Sequence, residues 1–266
     1  MVRLPWLLLI AFGPFLCLAV RYGVADKCPS IPPSLWCSSD KIIKQCGFEE
    51  HCQRFKSATW NQRVNITVLV EALCPDCQQF IANQLYPVIY KNFRDVVNIQ
   101  LVPFGNAKIQ PDGSIVCQHG EEECEINKFE SCLINSFESQ DEYVPVIFCI
   151  ESQLKDKVAF ATATEKCFQK FNVTEDVQRM TQSCLVSNIG ARLQKKAADL
   201  TNSVWPDQHK FVPWVVFNGV SLTNLQVYQN QIPLLICQWY NGDQKISYCE
   251  SALKERFRAG STNFFY

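Results

Sequence analysis

Apolar and polar residues alternate cleanly from Val64. Val64, Ile66, Val68 and Val70 fall on one face, and Asn65 and Thr67 on the other. A period of two marks a strand. Leu69 and Ala72 make its far end apolar on both faces, as in a buried central strand. Beyond Leu73-Cys74-Pro75-Asp76-Cys77 the period changes. Phe80, Ile81, Leu85, Val88 and Ile89 recur at helical spacing. Pro87 lacks the N–H that a helix interior uses, so it is expected to kink or interrupt this helix. Val96 to Val102 is rich in β-branched residues and stops at Pro103-Phe104-Gly105-Asn106, which reads as a second strand. Strand, helix and strand at this distance form a βαβ unit.

From about residue 107 to 200 the alternation is gone. Val177, Met180, Cys184 and Ile189 sit near one helical face, with Arg192, Lys195 and Lys196 towards a C-terminal end, where the helix dipole favours cations. Tyr143 to Ile150 has strand propensity, but Pro145 and the acidic residues near it also fit a helix start, and helix is the reading taken. The segment reads as an all-α insertion. Val212 to Phe217 is a later strand, and Asn218-Gly219 is a two-residue hairpin signal. Ile232 to Tyr240 reads as a last helix carrying Cys237, near enough to Cys249 for a local bridge. Arg258 to Tyr266 shows no periodicity, and residues 251–266 are taken as a tail.

The first 25 residues read as an address. Arg3 supplies a positive start, Leu4 to Val20 is almost wholly apolar, and Gly23-Val24-Ala25 fits a cut after Ala25; a cut after Ala19 also fits. An uncleaved anchor is the competing reading, weakened by Pro5, Pro14 and Arg21. No other stretch is apolar and long enough for a span, so none is expected in the mature chain.

Composition narrows the classes. Of 15 cysteines, removal of residues 1–25 takes only Cys17 and leaves an even number, all able to pair in an oxidising compartment. Asn65-Ile66-Thr67 and Asn172-Val173-Thr174 make Asn65 and Asn172 candidate glycosylation sites. The secretory pathway follows from these three features together. Lys+Arg number 25 against 26 Asp+Glu, so no basic excess exists to neutralise phosphates and no nucleic-acid partner is expected. With 47% hydrophobic residues, the chain can bury a real core.

Residues 26–55 hold Cys28, Cys37, Cys46 and Cys52. So short a piece buries little and needs cross-links. Pro29, Pro32 and Pro33 keep its start extended, and Trp36 is its large anchor. The pattern Cys28-Pro29, Trp36-Cys37, Cys46-Gly47, Cys52 resembles the saposin A-type module. A stapled cap without activity is the plainer reading; the other is a surface for lipid or a partner.

Cys74-Pro75-Asp76-Cys77 is the only Cys-x-x-Cys. It follows an apolar strand and opens a helix, where unpaired N–H groups and the dipole favour a thiolate on Cys74. Cys77, one turn on, can attack a mixed disulfide without a second collision. Three duller readings compete. A structural disulfide here would close too small a loop to stabilise much. A zinc half-site would need two more ligands from His51, His119, His209 or the Cys117, His119, Cys124 group, and no metal site is expected. Chance placement is the third. Val212-Pro213 before an apolar strand has the order of the cis-proline that faces such a motif in thioredoxin-like folds and positions an extended substrate; a trans proline starting a strand is the alternative.

These pieces together carry a close resemblance. Glu71-Ala72-Leu73-Cys74-Pro75-Asp76-Cys77, Val102-Pro103-Phe104-Gly105-Asn106-Ala107, Cys117-Gln118-His119-Gly120-Glu121-Glu122-Glu123-Cys124 with Asn127 and Cys132, and Val212-Pro213-Trp214 with Asn218-Gly219 resemble the gamma-interferon-inducible lysosomal thiol reductase family. The likeness runs from about Val64 to Cys249. It implies an α/β fold: a thioredoxin-like sheet over about 60–250, a disulfide-rich helical insertion at about 107–200, and a small N-terminal cysteine-rich module. It implies reduction of disulfide-bonded proteins in acidic endosomes and lysosomes, with Cys74 and Cys77 as the redox pair; secretion is the other destination weighed. No cofactor is implied beyond a small thiol for recycling. Cys28, Cys37, Cys46, Cys52, Cys117, Cys124, Cys132, Cys149, Cys167, Cys184, Cys237 and Cys249 are left as structural disulfide candidates, their pairing open. His119 and Gly120 are read as part of a disulfide-framed structural motif. Pro75-Asp76 stands where small residues are expected, and an ionised Asp76 would oppose a thiolate beside it. A secreted isomerase or oxidase, and a non-enzymatic lipid- or partner-binding glycoprotein, are the alternatives.

The chemistry sets one demand. A free cysteine titrates near about 8.5, so at pH about 5 roughly one in three thousand is thiolate. A reductase working in acid must hold Cys74 well below that.

Overall fold

The computed structural model describes Cys28, Trp36, Cys37 and residues 39–258, with side chains described as far as Ala252. The stretch read as a leader, 1–25, the prolines at 29, 32 and 33, and the residues beyond Arg258 lie outside the described residues. The chain divides into two compact units, one closing at Ala58 and the other opening at Thr59.

The first unit is two short helices, α1 (Asp40–Cys46) and α2 (Glu49–Thr59). Ser39 caps α1 by accepting the Ile42 N–H at 3.3 Å, and Gly47 ends it at φ 70°, a backbone region glycine enters without a steric penalty. Trp36 stacks on Phe48 with centroids 4.7 Å apart and meets His51 edge-on. Cys28–Cys46 and Cys37–Cys52 tie the unit together. Ile43 and Cys52 are its buried apolar residues among those described, too little for an uncross-linked core.

The second unit begins with β1 (Val64–Val70), then α3 (Pro75–Phe80), which continues without a break through a π-wound stretch, Ile81–Tyr90, into α4 (Lys91–Phe93) and on to β2 (Val97–Pro103). Pro87 therefore neither breaks nor ends the helix. Winding to i→i+5 bonds absorbs the missing donor. The insertion opens with a ribbon, β3 (Lys108–Ile109) against β4 (Ile115–Val116). This corrects the all-α reading. Asp112 accepts from both the N–H and the hydroxyl of Ser114, and Gly113 takes φ 86°, so the turn itself folds the ribbon back. Five helices follow: α5 (Glu121–Ser136), α6 (Gln140–Lys155), α7 (Phe160–Lys170), α8 (Glu175–Val186) and α9 (Asn188–Asn202). Tyr143–Ile150 is helical, as expected. A capping box of Ser139 and Glu142 starts α6 ahead of Pro145.

After β5 (Trp214–Phe217) the chain turns at Asn218-Gly219, both at positive φ, and Phe217 and Val220 exchange backbone hydrogen bonds. It closes with α10 (Thr223–Gln226), α11 (Ile232–Trp239) and α12 (Ser247–Arg258). Helix α12 carries regular structure into the segment read as tail.

The sheet order is β2-β1-β5, with β1 parallel to β2 and antiparallel to β5. Central β1 buries Ile66, Val68 and Leu69 completely, which explains its two apolar faces. Leu85 and Ile89, Ile126 and Leu133 from α5, Ile147 and Ile150 from α6, and Trp214 complete the core. Disulfides lock the layers: Cys117–Cys124 before and within α5, Cys132–Cys184 between α5 and α8, Cys149–Cys167 between α6 and α7, and Cys237–Cys249 between α11 and α12. A parallel β-α-β pair leading to an antiparallel strand, with a Cys-x-x-Cys at the helix start, is a thioredoxin-like arrangement. No helix among the described residues is long and apolar enough to cross a membrane.

Candidate active site

β1 ends one turn before the helix, and that turn is pinned from several sides. The Ala72 N–H donates to Asn127 Oδ1 at 3.0 Å, and Gln78 Nε2 donates to the Ala72 carbonyl at 2.8 Å. The Cys74 N–H donates to the Glu71 carbonyl at 3.3 Å. Cys74 is thereby left as the N-cap of α3, in extended backbone, with Pro75 behind it in the first helical position, where no N–H is needed.

The Cys74 Sγ takes the place a capping oxygen usually fills. It accepts the Cys77 N–H at 3.4 Å. Its thiol is also 3.8 Å from the Val212 carbonyl. Val212-Pro213 is a cis peptide, immediately before β5, and Gln229 Nε2 holds the Pro213 carbonyl at 2.8 Å. The three residues singled out from the sequence, Cys74, Cys77 and Pro213, are thus brought to one place. Cys74 and Cys77 are the cysteines without a disulfide among the described residues. Both are buried, but Cys74 keeps 8% of its surface exposed and Cys77 none. Any reagent entering from solvent meets Cys74 first.

The two thiols are driven apart. Interaction with the Cys77 thiol lowers Cys74 most; burial opposes, and the N–H groups of Cys77 and Asp76 add to the lowering, bringing it to about 6. The Asp76 charge acts against the thiolate, as the sequence indicates, but its own N–H works the other way. Burial pushes Cys77 far up, and the neighbouring Cys74 pushes it further.

A second group of residues lies beside the pair. Glu71 is buried; its Oε1 accepts from the N–H and side-chain amide of Asn106 at 3.0 and 2.7 Å. Gly105, at φ 56°, is required here, because a Cβ would run into the Glu71 side chain. Glu71 Oε2 has no hydrogen-bond donor and lies 3.6 Å from His119 Nδ1. That nitrogen is 2.5 Å from Glu123 Oε2, and the His119 N–H donates to Glu123 Oε1 at 3.1 Å. Burial raises Glu71 to about 7, with the Glu123 charge adding to it. Deeper in, the buried Glu130 is raised to about 7 and Glu151 is also raised, each first by burial.

Glu71, His119 and Glu123 offer three ligand atoms within 4.8 Å of one another. Around zinc, with bonds near 2.0 Å, ligand atoms sit roughly 3.3 Å apart. The 2.5 Å His119–Glu123 contact is a closed hydrogen bond instead. The Cys117, His119, Cys124 group weighed from the sequence holds no metal, since its sulfurs bond to each other. Glu71, Asn106, Asn127 and Glu123 lie in the segments that carry the family resemblance, but no spacing rule links them. Glu151 has a weaker signal, an acid directly after the apolar Phe148-Cys149-Ile150. Asn65 and Asn172 are both exposed, Asn65 on β1 and Asn172 in the α7–α8 loop.

A free dithiol capping a helix, facing an X-Pro loop on a thioredoxin-like sheet, defines the class: a thiol–disulfide oxidoreductase. The model of the family "Gamma interferon inducible lysosomal thiol reductase (GILT)" matches residues 65–171. A protein of Carassius auratus named gamma-interferon-inducible lysosomal thiol reductase is 34% identical over 229 residues, 85% of this chain and 86% of that one. The protein of that name from Mus musculus is 28% identical over 193 residues, 71% and 72% of the two chains. A gamma-interferon-responsive lysosomal thiol protein of Arabidopsis thaliana is 29% identical over 180 residues, 68% and 72%. Among solved structures, reduced DsbA1 from Neisseria meningitidis is similar with a TM-score of 0.40 at 14% identity, covering 67% of this chain and 85% of that one. The chain belongs to the gamma-interferon-inducible lysosomal thiol reductase family.

Proposed function

We propose that this protein reduces disulfide bonds of protein substrates in an acidic endosomal or lysosomal compartment, with Cys74 as nucleophile and Cys77 as resolving thiol. The observation that carries the reading is Cys74 Sγ at the helix start, receiving the Cys77 N–H and titrating near about 6. At pH about 5 such a thiol is roughly one-tenth thiolate, about three hundred times the fraction of a free cysteine.

The Cys74 thiolate attacks one sulfur of the substrate disulfide. That S–S bond breaks, a Cys74–substrate bond forms, and the departing substrate sulfur takes a proton. Cys77 then gives up its proton and attacks Cys74 Sγ, and the second substrate sulfur leaves as a thiol. The substrate gains two electrons and the enzyme is left with a Cys74–Cys77 disulfide. Two equivalents of a small thiol restore it. The buried position of Cys77 suits a group that acts only on its neighbour. The cis Val212-Pro213 loop, against Cys74, is where an extended substrate backbone would lie.

The reading extends to the rest of the chain. The N-terminal unit, with two disulfides and little buried apolar surface, is read as a cross-linked structural module, with a surface for lipid or a partner as the alternative. Asn172 is the better presented sequon, since a loop offers its amide more freely than a strand does; Asn65 Oδ1 already accepts from Asn98.

The test is turnover of a disulfide-bonded protein at pH 5 and pH 7.5 with a small thiol as reductant, using Cys74→Ser and Cys77→Ser as controls. Acid-side turnover that both substitutions abolish supports the reading. Turnover that survives Cys74→Ser refutes it.

A further inference from the structure

Resting on that reading, the geometry of the Cys117–Cys124 loop assigns a role to a residue so far without one. We propose that His119 is a positioning residue for the redox chemistry: its imidazolium, clamped by Glu123 and Glu71, balances the negative charge of the Cys74 thiolate in acid.

Three features place it there. The Cys117–Cys124 disulfide and the start of α5 fix the loop on both sides of His119. Glu123 grips it twice, through the ring and through the backbone N–H. Glu71, 3.6 Å from the ring, hangs from the same turn whose carbonyl receives the Cys74 N–H. The imidazole therefore sits beside a buried carboxyl that hangs from the turn carrying Cys74.

The charges that reach Cys74 explain the need. Asp76 beside it, Glu71, and Glu151 on α6 are acids, and Cys77 is a thiol. In this set His119 is the group that becomes a cation. The groups facing His119 are Glu123 from α5, Glu71 from the turn after β1, and Cys74. Partial burial works against its charge, but the Glu123 hydrogen bond, then Glu123, Glu71 and Cys74 as charges, raise its pKa overall. In acid the cluster holds His119 charged and Glu71 protonated, so the carboxyl on the turn adds no negative charge there. As pH climbs, His119 loses its charge and Glu71 gains one. The nucleophile is then favoured on the acid side by its surroundings, and less so at neutral pH.

The test is the rate of alkylation of the reduced full chain by uncharged iodoacetamide from pH 4.5 to 8, with Cys74→Ser as the blank. His119→Gln should react at least about threefold more slowly at pH 5, the effect of half a unit in pKa, with the gap closing above pH 7. His119→Arg or His119→Lys should restore the acid rate. Thermal melting of each variant is read in parallel. If His119→Gln matches the parent at pH 5, or if neither cation restores the rate, the proposal is overturned and His119 is a staple for its loop. If the parent's Cys74 does not react in acid at all, it is the functional reading that fails, before His119 enters.

Discussion

The Cys77 N–H points at the Cys74 Sγ across 3.4 Å, so the first turn of α3 treats its two sulfurs in opposite ways. The N-cap sulfur gains a donor and the open end of a helix. The sulfur one turn in is fully buried, and burial favours its protonated form. The two thiols are distinguished by burial and hydrogen bonding, within four residues.

On the proposed mechanism, that asymmetry orders the steps. Cys77→Ser should accumulate substrate joined to Cys74 through a disulfide, visible as a thiol-sensitive band on a non-reducing gel. Cys74→Ser should accumulate none. Equal trapping by both variants would remove the assigned order.

The buried acids make stability depend on pH in an unusual direction. Glu130, raised to about 7, and the also raised Glu151 and Glu71 bind protons more tightly folded than unfolded. Their contribution is whole below the ordinary carboxylate range, about 4.3, and is lost as pH rises through the folded values, about 7 for Glu130 and Glu71. The urea midpoint should therefore fall between pH 5 and pH 8, and Glu151→Gln should flatten that fall. A midpoint that rises over this range would contradict the assignment.

The disulfides of the helical layer should matter for stability and not for chemistry. Cys132–Cys184 joins α5 to α8 across a sequence separation of 52. Replacing both with serine should cost about 2–4 kcal/mol, read as a lower urea midpoint, and leave the acid alkylation rate of Cys74 within about twofold. Loss of that rate in a still-folded variant would show that the cross-link shapes the site.

Filling of the core can be tested separately. Leu85 is fully buried in the core. Leu85→Ala should lower stability by about 2–5 kcal/mol in urea unfolding. A loss below about 1 kcal/mol would mean the π-wound stretch can collapse around the gap.

Much of this was legible because the periods are local. Val64–Val70 alternates, Phe80–Ile89 repeats at helical spacing, and the motif falls between them, so the βαβ unit and the position of Cys74 follow from neighbours in sequence. The β3–β4 ribbon is only two residues deep on each side and leaves no period to read. Winding of Ile81–Tyr90 by i→i+5 bonds has no sequence mark either; Pro87 announces only that something must give. The Glu71–His119–Glu123 contact joins segments far apart in the chain, through a fold that no spacing rule encodes. His119 stood out by its motif, but its chemistry needed Glu71 beside it. The buried Glu130 and Glu151 come together only when α5 packs on α6.

The account depends on Cys74 being an anion in acid, and the direct measurement is its alkylation rate against pH in the reduced chain. The account predicts a half-maximal rate near pH 6, with appreciable reaction at pH 5 that Cys74→Ser abolishes. A rate that rises only beyond pH 8 would contradict it, for the helix start would then do nothing to the thiol it carries.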